Sequence, residues 1–297
     1  MAAPSATIEM RHVTRRFGSV TALSDVSWTI AAGETVVLLG ANGAGKTTAI
    51  SLMVGLRGPT SGEVRAFGLP PNDLAVRRRR GVMLQDCEPI DHVTVLEAID
   101  LFRSFYPTPL DRDAILRRAD LSELARRRAD ALSHGQRQRL FFGQAIAGDP
   151  ALLFLDEPTA GMDVESRRAL QSYVRDLAGA GRTIVLSTHD MSEAAALATR
   201  ILVLRSGRVV FDGTPDNLVR AVGGSSVVRF AAPGGDAPLA GLPAERVDVS
   251  GGMVNIRTQD PAAVVAELAR RGVRLDQLAI TGPSIEDAYV ALTERST

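Results

Sequence analysis

The chain is poor in cysteine, in long apolar runs and in net charge. Cys87 is the only cysteine of the 297 residues, which excludes an internal disulfide. Lys plus Arg and Asp plus Glu each total 34, and this balance argues against a polycationic nucleic-acid binder. No run approaches the roughly 18 apolar residues of a membrane span, and segment 1–7 lacks the pattern of a signal peptide. The composition predicts a globular, cytoplasmic protein without a nucleic-acid partner.

Lysine is nearly absent as well. Lys46 is the only lysine among the 34 Lys and Arg residues, so every other one is arginine. Codon bias can explain the shortage, but a retained lysine indicates a position that needs a compact ammonium group. Lys46 lies in segment 40–47, Gly-Ala-Asn-Gly-Ala-Gly-Lys-Thr, which matches the P-loop pattern G-x-x-x-x-G-K-[ST]. An apolar run at 35–39 predicts a strand before it, and 46–54 predicts a helix after it.

The P-loop predicts a phosphate site. Its glycines allow backbone N–H groups to curl around phosphate oxygens, and the helix N-terminus adds the positive end of its dipole. Lys46 is expected to bind the β- and γ-phosphates, and the Thr47 hydroxyl is expected to be a Mg²⁺ ligand.

Polar residues follow three further apolar runs. These runs are 151–155 before Asp156 and Glu157, 183–186 before His189, and 81–84 before Gln85. Unbroken apolar runs are typical of strands covered on both faces, and ligands of parallel sheets bind at the carboxyl ends of the strands. We therefore expect these four polar side chains to converge on the phosphates held by the P-loop.

Charge suggests a role for each of them. Asp156 is expected to hold Mg²⁺ through water, and Glu157 to poise the attacking water. Gln85 offers an amide oxygen to the metal or to the water, and His189 can donate to a γ-phosphate oxygen. Taken alone, Asp156-Glu157 would be a capped strand end and His189 an ordinary histidine. Their coincidence around a P-loop favours the catalytic interpretation.

A second motif precedes the Asp156 strand. Residues 132–136, Leu-Ser-His-Gly-Gln, match the signature Leu-Ser-Gly-Gly-Gln at four of five positions. From the residues alone, Ser133 and Gln136 form a capping box that opens a helix from about 137 to 146. A helix N-terminus with a serine hydroxyl is also an anion site. With this motif, the chain closely resembles the ATP-binding subunits of ABC (ATP-binding cassette) transporters.

The resemblance implies a head-to-tail dimer in which Ser133, Gly135 and Gln136 contact the ATP γ-phosphate held by the partner's P-loop. His134 replaces the common glycine of the signature. A side chain there is tolerated if it faces solvent, although signalling across the dimer could differ.

Further motifs extend the resemblance over about residues 6–222. Segment 159–163 resembles the D-loop, in which Asp163 couples the two ATP sites. Phe17 stands where the family stacks an aromatic ring on adenine, and the alternative is a core residue that closes the first hairpin. The resemblance implies ATP and Mg²⁺ as cofactors. The residues implied to bind ATP are Phe17, Gly40, Asn42, Gly43, Ala44, Gly45, Lys46, Thr47 and Thr48, and those implied to hold the metal are Thr47, Gln85 and Asp156.

The implied fold is α/β. It comprises a P-loop NTPase core of ABC ATPase type with an antiparallel β subdomain and an inserted helical subdomain at about 91–146. A glycine-serine stretch at 222–226 reads as a linker, which divides an ATPase domain, 1–222, from a small C-terminal α/β domain, 223–297. Strands are predicted there at 227–230, 253–257 and about 273–280. The tail at 283–293 resembles ABC ATPases of the drug, polysaccharide and nodulation-factor exporter branch.

These features favour the ATP-hydrolysing subunit of an ABC exporter. Its expected partners are a second ATPase subunit, identical or different, and a separate polytopic permease that contacts the surface from Gln85 to Thr94 and holds the subunit on the inner face of the membrane. One alternative is an importer subunit. Another is a non-transport ABC ATPase acting on ribosomes or DNA, which would carry two cassettes or a coiled-coil insertion. A non-hydrolysing regulator is disfavoured because both Glu157 and His189 are present.

Overall fold

The computed structural model describes residues 6–85, 87–221, 225–232, 239–282 and 284–294. The chain divides into two compact units, Met1–Thr214 and Pro215–Thr297. This division falls before the predicted boundary at 222, because the helix at 215–221 packs against the C-terminal helix of the second unit. Residues 222–224 of the predicted linker lie outside the described residues.

The first unit contains two sheets. Its strands are β1 (Ala6–Phe17), β2 (Val20–Ala31), β3 (Thr35–Leu39), β4 (Ser61–Ala66), β5 (Arg80–Met83), β6 (Leu152–Asp156), β7 (Thr183–Thr188), β8 (Arg200–Arg205) and β9 (Arg208–Gly213). Strands β5, β6, β7, β3 and β8 are parallel neighbours in that order, and β9 adds an antiparallel edge. Strands β2, β1 and β4 form the antiparallel sheet. The predicted parallel core sheet and the predicted antiparallel β subdomain are both confirmed.

Apolar side chains join the two sheets around the helix that follows the P-loop. The helices of the first unit are α1 (Lys46–Met53), α2 (Leu74–Arg77), α3 (Val95–Arg103), α4 (Arg112–Arg118), α5 (His134–Ile146), α6 (Val164–Gly179) and α7 (Met191–Leu197). Ile50 of α1, Trp28 of β2 and Phe154 of β6 are buried in one continuous core. Because α1 is held between both sheets, the loop before it has a fixed position. None of the helices in the described ranges is long and apolar enough to cross a bilayer.

The inserted segment is helical, with α3, α4 and α5 packed together. Thr94 and Glu97 form a capping box at the start of α3, in which Glu97 N donates to Thr94 Oγ1 at 3.2 Å. A Cβ added to Gly143 would lie 3.1 Å from Ile99 Cδ1, so α5 approaches α3 closely at this glycine. Helix α5 begins at His134 rather than near Arg137, because Ser133 is the N-cap and the next residue is already helical.

The C-terminal unit is a four-stranded antiparallel sheet with helices. Its elements are α8 (Pro215–Ala221), β10 (Ser226–Ala231), β11 (Arg246–Ser250), β12 (Met253–Thr258), α9 (Pro261–Arg270), β13 (Asp276–Thr281) and α10 (Ile285–Glu294), with strand order β11-β12-β10-β13. Phe230, Ile256 and Leu268 belong to its separate apolar core. The predicted strand near 273–280 begins only at Asp276, and β11, an exposed edge strand, was missed.

The division at Thr214 predicts that the first unit folds alone. A chain ending at Thr214 should remain soluble and unfold cooperatively, because it keeps its own core and its complete sheet. Circular dichroism during thermal unfolding measures this.

The matched control is a chain ending at Leu204. It lacks β9 and also Gly207, whose N–H donates to Ala44 O at 3.1 Å beside the P-loop. This shorter chain should be strongly destabilised. Aggregation of the Thr214 chain as severe as that of the control would contradict the division.

Candidate ATP site

Backbone geometry in the P-loop requires glycine at two positions. Gly45 has φ +109°, and a Cβ there would lie 2.7 Å from Ala22 O. A Cβ on Gly40 would lie 2.6 Å from Leu204 O. Gly45 is also the N-cap of α1, and within the described part of the chain no side chain caps that helix. The first N–H groups of α1 therefore point into the loop and are available to an anion.

Lys46 is almost completely buried, with 6% of its surface exposed. Its Nζ donates to Gly40 O at 2.8 Å and lies 3.3 Å from Glu157 Oε1. A buried ammonium is stable only when it is paired and hydrogen-bonded, and both conditions are met. The ammonium is consequently fixed inside the loop, beside the position that the P-loop motif predicts for phosphate.

The carboxyl end of β6 carries the two predicted acidic residues. Glu157 Oε2 lies 2.8 Å from His189 Nδ1, so this carboxylate bridges Lys46 and His189. Glu157 has φ +51°, a conformation that is uncommon for residues other than glycine. Its N–H donates to Ser187 Oγ at 3.1 Å, which holds the turn in place.

Ser187 is a site residue to which the sequence analysis gave no role. It pairs with Asp156 in the parallel register of β6 and β7, and its hydroxyl donates to Asp156 Oδ1. The Oγ atom of Ser187 also accepts a hydrogen bond from the N–H of Glu157. One buried hydroxyl thus orients both acidic residues. The sequence signal that could have identified Ser187 is the one used for His189, a polar residue at the end of an apolar strand.

Asp156 has the environment expected of an indirect metal ligand. Burial raises its pKa, while hydrogen bonds from Ser187 and Thr47 act in the opposite direction. Among the described residues, its Oδ2 atom has no hydrogen-bond partner. An oriented carboxylate with an unsatisfied oxygen beside the Thr47 hydroxyl fits a hydrated Mg²⁺ ion. No cluster of three or more His, Cys, Asp or Glu side chains that could hold a metal occurs in the described ranges.

Two neighbouring cavities connect these residues. The P-loop cavity, about 430 Å³, is lined by Phe17, Val20, Thr21, Ala22, Ala41, Asn42, Gly43, Ala44, Gly45, Lys46, Thr47, Thr48, Gln85 and Glu157. Thr47, Gln85 and Asp156 line the second cavity, so Gln85 borders both. The structure therefore brings the predicted strand-end residues and the P-loop together.

Phe17 lies at the edge of the P-loop cavity, with 38% of its surface exposed. The guanidinium carbons of Arg15 and Arg57 lie 4.5 Å and 5.2 Å from the centre of its ring. This exposure does not fit the alternative of a core residue. An accessible ring on the wall of the cavity is consistent with a stacking surface.

The signature residues and Asp163 line neither of these cavities. Ser133 and Gln136 form the predicted capping box, with Gln136 N donating to Ser133 Oγ at 3.3 Å. A Cβ on Gly135 would lie 3.9 Å from Met162 Cα. Asp163 is the N-cap of α6 and accepts from Ser166 N at 2.8 Å. These residues thus gather at a separate surface formed by the signature and the D-loop.

Glu193 is a buried acidic residue that the sequence analysis also missed. It is completely buried on α7, and within the described ranges neither carboxyl oxygen makes a hydrogen bond of good geometry. Burial raises its pKa above 4.5, and Asp190 and Glu157 raise it further, while the hydroxyls of Thr188 and Thr159 only partly oppose the shift. No helix was predicted from the sequence in this segment, so there was no indication that Glu193 is buried.

Comparisons with known proteins agree with this geometry. The profile of the family described as ABC transporter matches residues 23–160. The Nod factor export ATP-binding protein I of Rhizobium meliloti (strain 1021) is 35% identical, covering 99% of this chain and 90% of that protein. The protein of the same name from Burkholderia lata is 33% identical and covers 98% of both chains.

Solved structures give the same result for the fold. An ATP-binding subunit of an ABC transporter superimposes with a TM-score of 0.67 at 27% identity, covering 73% of this chain and 93% of that one. A dimeric ATP-binding cassette in a post-hydrolysis state with ADP and Pi gives 0.65 at 28% identity, with 70% and 98% covered. The chain belongs to the ABC transporter family. It is an ATP-binding, ATP-hydrolysing subunit of an ABC transporter, which confirms the resemblance stated from its motifs.

The buried acid of α7 gives a test by pH. Because the pKa of Glu193 is higher in the folded chain than its unfolded value of 4.5, the protonated carboxyl favours folding. This contribution to the free energy of unfolding is complete below pH 4.5 and is lost as pH rises through the pKa of the folded chain. Glu193→Gln should remove this loss. The stability difference between variant and wild type should therefore grow with pH, by at most about 1.4 kcal/mol per pH unit.

Denaturant unfolding of both proteins from pH 5 to pH 8 measures the difference. The control is Glu165→Gln, which replaces an exposed acidic residue in the first turn of α6. Asp156 is present in all three proteins, so its contribution to the pH dependence of unfolding cancels when they are compared. Parallel pH profiles for wild type and Glu193→Gln would refute the prediction.

Proposed function

We propose that this subunit drives export through a separate membrane permease. The observation that supports the ATPase part most directly is the Glu157 carboxylate, held between Lys46 and His189 at the P-loop. The names of the relatives, Nod factor export ATP-binding protein I, favour export over import. The balanced charge of the chain and its single P-loop disfavour action on ribosomes or DNA.

We propose that the P-loop cavity holds ATP. Phe17 stacks on the adenine ring, while the N–H groups of the P-loop and the ammonium of Lys46 bind the phosphates. The residues assigned to ATP are those named from the sequence: Phe17, Gly40, Asn42, Gly43, Ala44, Gly45, Lys46, Thr47 and Thr48. All except Gly40 line the cavity, and Gly40 contributes the carbonyl that fixes Lys46.

For hydrolysis, we assign the general base to Glu157. Its carboxylate is close enough to the P-loop to accept a proton from a water beside the terminal phosphate. His189 orients that carboxylate and donates to a γ-phosphate oxygen as charge develops. Thr47, Asp156 and Gln85 would hold Mg²⁺, which when bound neutralises charge on the phosphate oxygens.

We further propose that two ATPase subunits close head to tail around two ATP molecules. Ser133, Gly135 and Gln136 of one subunit then contact the γ-phosphate on the other, and Asp163 links the two sites. Support comes from the signature and the D-loop, which gather on a surface apart from the chain's own P-loop cavity. The solved cassette with ADP and Pi, which has a similar fold, is dimeric.

For the permease contact, we propose a cavity of about 420 Å³ near β5, together with the surface at residues 85 and 87–94; residue 86 of the predicted contact lies outside the described residues. Arg77, Arg78 and Arg80 line the cavity beside Phe102, Phe105 and Tyr106. Phe105 is 63% exposed, and burial lowers the pKa of Arg80. Cationic and aromatic groups together suit an acidic, amphipathic segment. The subunit would thereby lie on the inner face of the membrane, with the C-terminal unit as an accessory domain.

Glu157→Gln tests the catalytic assignment. The amide keeps the shape of the side chain but cannot accept the proton, so ATP turnover should fall by about 100-fold or more. ATP binding should persist, and the ATP-bound variant should accumulate as a dimer, measured by light scattering with and without ATP. A variant that stays monomeric at saturating ATP would contradict the dimer assignment.

The matched control for binding is Lys46→Ala. It removes the only buried ammonium of the loop, so affinity for ATP should fall by about tenfold or more, measured by calorimetry. Dimerisation with ATP should be lost as well. Unchanged affinity would exclude the P-loop as the ATP site.

A pull-down tests the transport role. Tagged Glu157→Gln protein with ATP is the bait in detergent-solubilised native membranes, Lys46→Ala is the control bait, and mass spectrometry identifies the captured proteins. A polytopic permease enriched on the first bait is the expected result, and its relatives distinguish export from import. Ribosomal or DNA-repair proteins without a permease would refute the transport assignment.

A further inference from the structure

The unusual signature residue His134 contacts the D-loop of its own chain. His134 is the first residue of α5, and its side chain is exposed rather than packed in the core. Its Nε2 atom lies 2.9 Å from Ala160 O. Because a carbonyl oxygen can only accept, Nε2 carries the proton and donates. The bond therefore joins the N-terminus of the signature helix to the turn that follows Glu157.

Gly161 shows how closely the ring approaches the D-loop. A Cβ on this glycine would lie 2.6 Å from His134 Cδ2 and 2.9 Å from His134 Nε2. Gly161 also has φ +69°, so a side chain there would strain the backbone independently of the histidine. The imidazole thus occupies the space that a side chain at 161 would fill. The two segments are complementary in shape as well as hydrogen-bonded.

The segment that His134 contacts is a short, internally bonded turn. Ala160 N donates to Glu157 O at 3.2 Å, and Met162 N donates to Thr159 O at 3.1 Å. The turn begins at the residue assigned as general base and ends at Asp163, the N-cap of α6. The hydrogen bond from His134 to Ala160 O therefore restrains both Glu157 and Asp163.

We infer that His134 is a positioning residue, which holds the D-loop against the signature helix so that Glu157 and Asp163 keep their places when two subunits close. This inference rests on the proposed dimer for its effect on turnover, but the contact itself lies within one chain. Glycine, which the family signature commonly has at this position, lacks a side chain that could donate such a bond.

Amide substitutions separate the hydrogen bond from mere bulk. The amide nitrogen of Gln has about the reach of imidazole Nε2, whereas that of Asn reaches only as far as Nδ1. His134→Gln should therefore keep the bond to Ala160 O, and His134→Asn and His134→Ala should lose it. All three changes are at an exposed helix position, so the fold should tolerate them.

The first readout is amide hydrogen exchange of residues 159–163 in the chain without nucleotide. The Ala and Asn variants should exchange about two- to tenfold faster than wild type, as expected for loss of one hydrogen bond, and the Gln variant should match wild type. Equal exchange in all four proteins would overturn the contact. This readout does not need a dimer, so it stays valid if the proposed dimer fails.

The second readout is steady-state ATP hydrolysis. The Ala and Asn variants should lose about two- to tenfold in kcat with little change in KM, because the P-loop itself is untouched, and Gln should restore kcat. Faster exchange with unchanged kcat would overturn the positioning role. Failure of the dimer is detected separately, by the ATP-dependent dimerisation of Glu157→Gln.

Gly161→Ala supplies an independent check. The added methyl group should displace the imidazole and mimic His134→Ala, in addition to its backbone strain. In the His134→Ala background only the strain remains, so the second substitution should reduce kcat by a smaller factor than it does in wild type. Equal factors in both backgrounds would contradict the inferred contact.

Discussion

The buried contact between Lys46 and Glu157 is the interaction on which the first unit depends. Lys46 begins the helix after β3, and Glu157 follows β6, so the contact joins elements separated by β7 in the sheet. Both side chains are buried, so each charge is stabilised by its neighbour across the sheet as well as by its own second partner, His189 for Glu157 and Gly40 O for Lys46. The P-loop cannot move away from the strand ends without breaking this pair.

The neighbouring backbone conformation depends on the same sheet. Glu157 has a positive φ, a strain that persists only where the surroundings hold the residue. Here the surroundings are the backbone carbonyl and the hydroxyl of Ser187, which both accept from Glu157 N at 3.1 Å. Since Ser187 also donates to Asp156, one strand neighbour positions both acidic residues. The parallel register of β6 and β7 thus determines the geometry of the site.

Local patterns explain which features the sequence could predict. The P-loop lies within eight consecutive residues, and the convergence of Asp156, Glu157 and His189 follows from the rule for parallel strand ends. The role of Ser187 and the burial of Glu193 depend on contacts between distant segments, which no local pattern records. The boundary at Thr214 was missed for the same reason, because it depends on where α8 packs and not on the composition of the linker.

The capping box and an anion site were alternative interpretations of the signature, and their chemistry is compatible. Ser133 Oγ accepts from Gln136 N at 3.3 Å, which uses a lone pair and leaves the hydroxyl proton available. Gln136 Oε1 accepts from Ser133 N at 3.1 Å, which leaves its amide protons available. Both side chains can therefore cap the helix and still donate to a phosphate. Capping fixes the direction of these donors in advance, so binding an anion would require little further ordering.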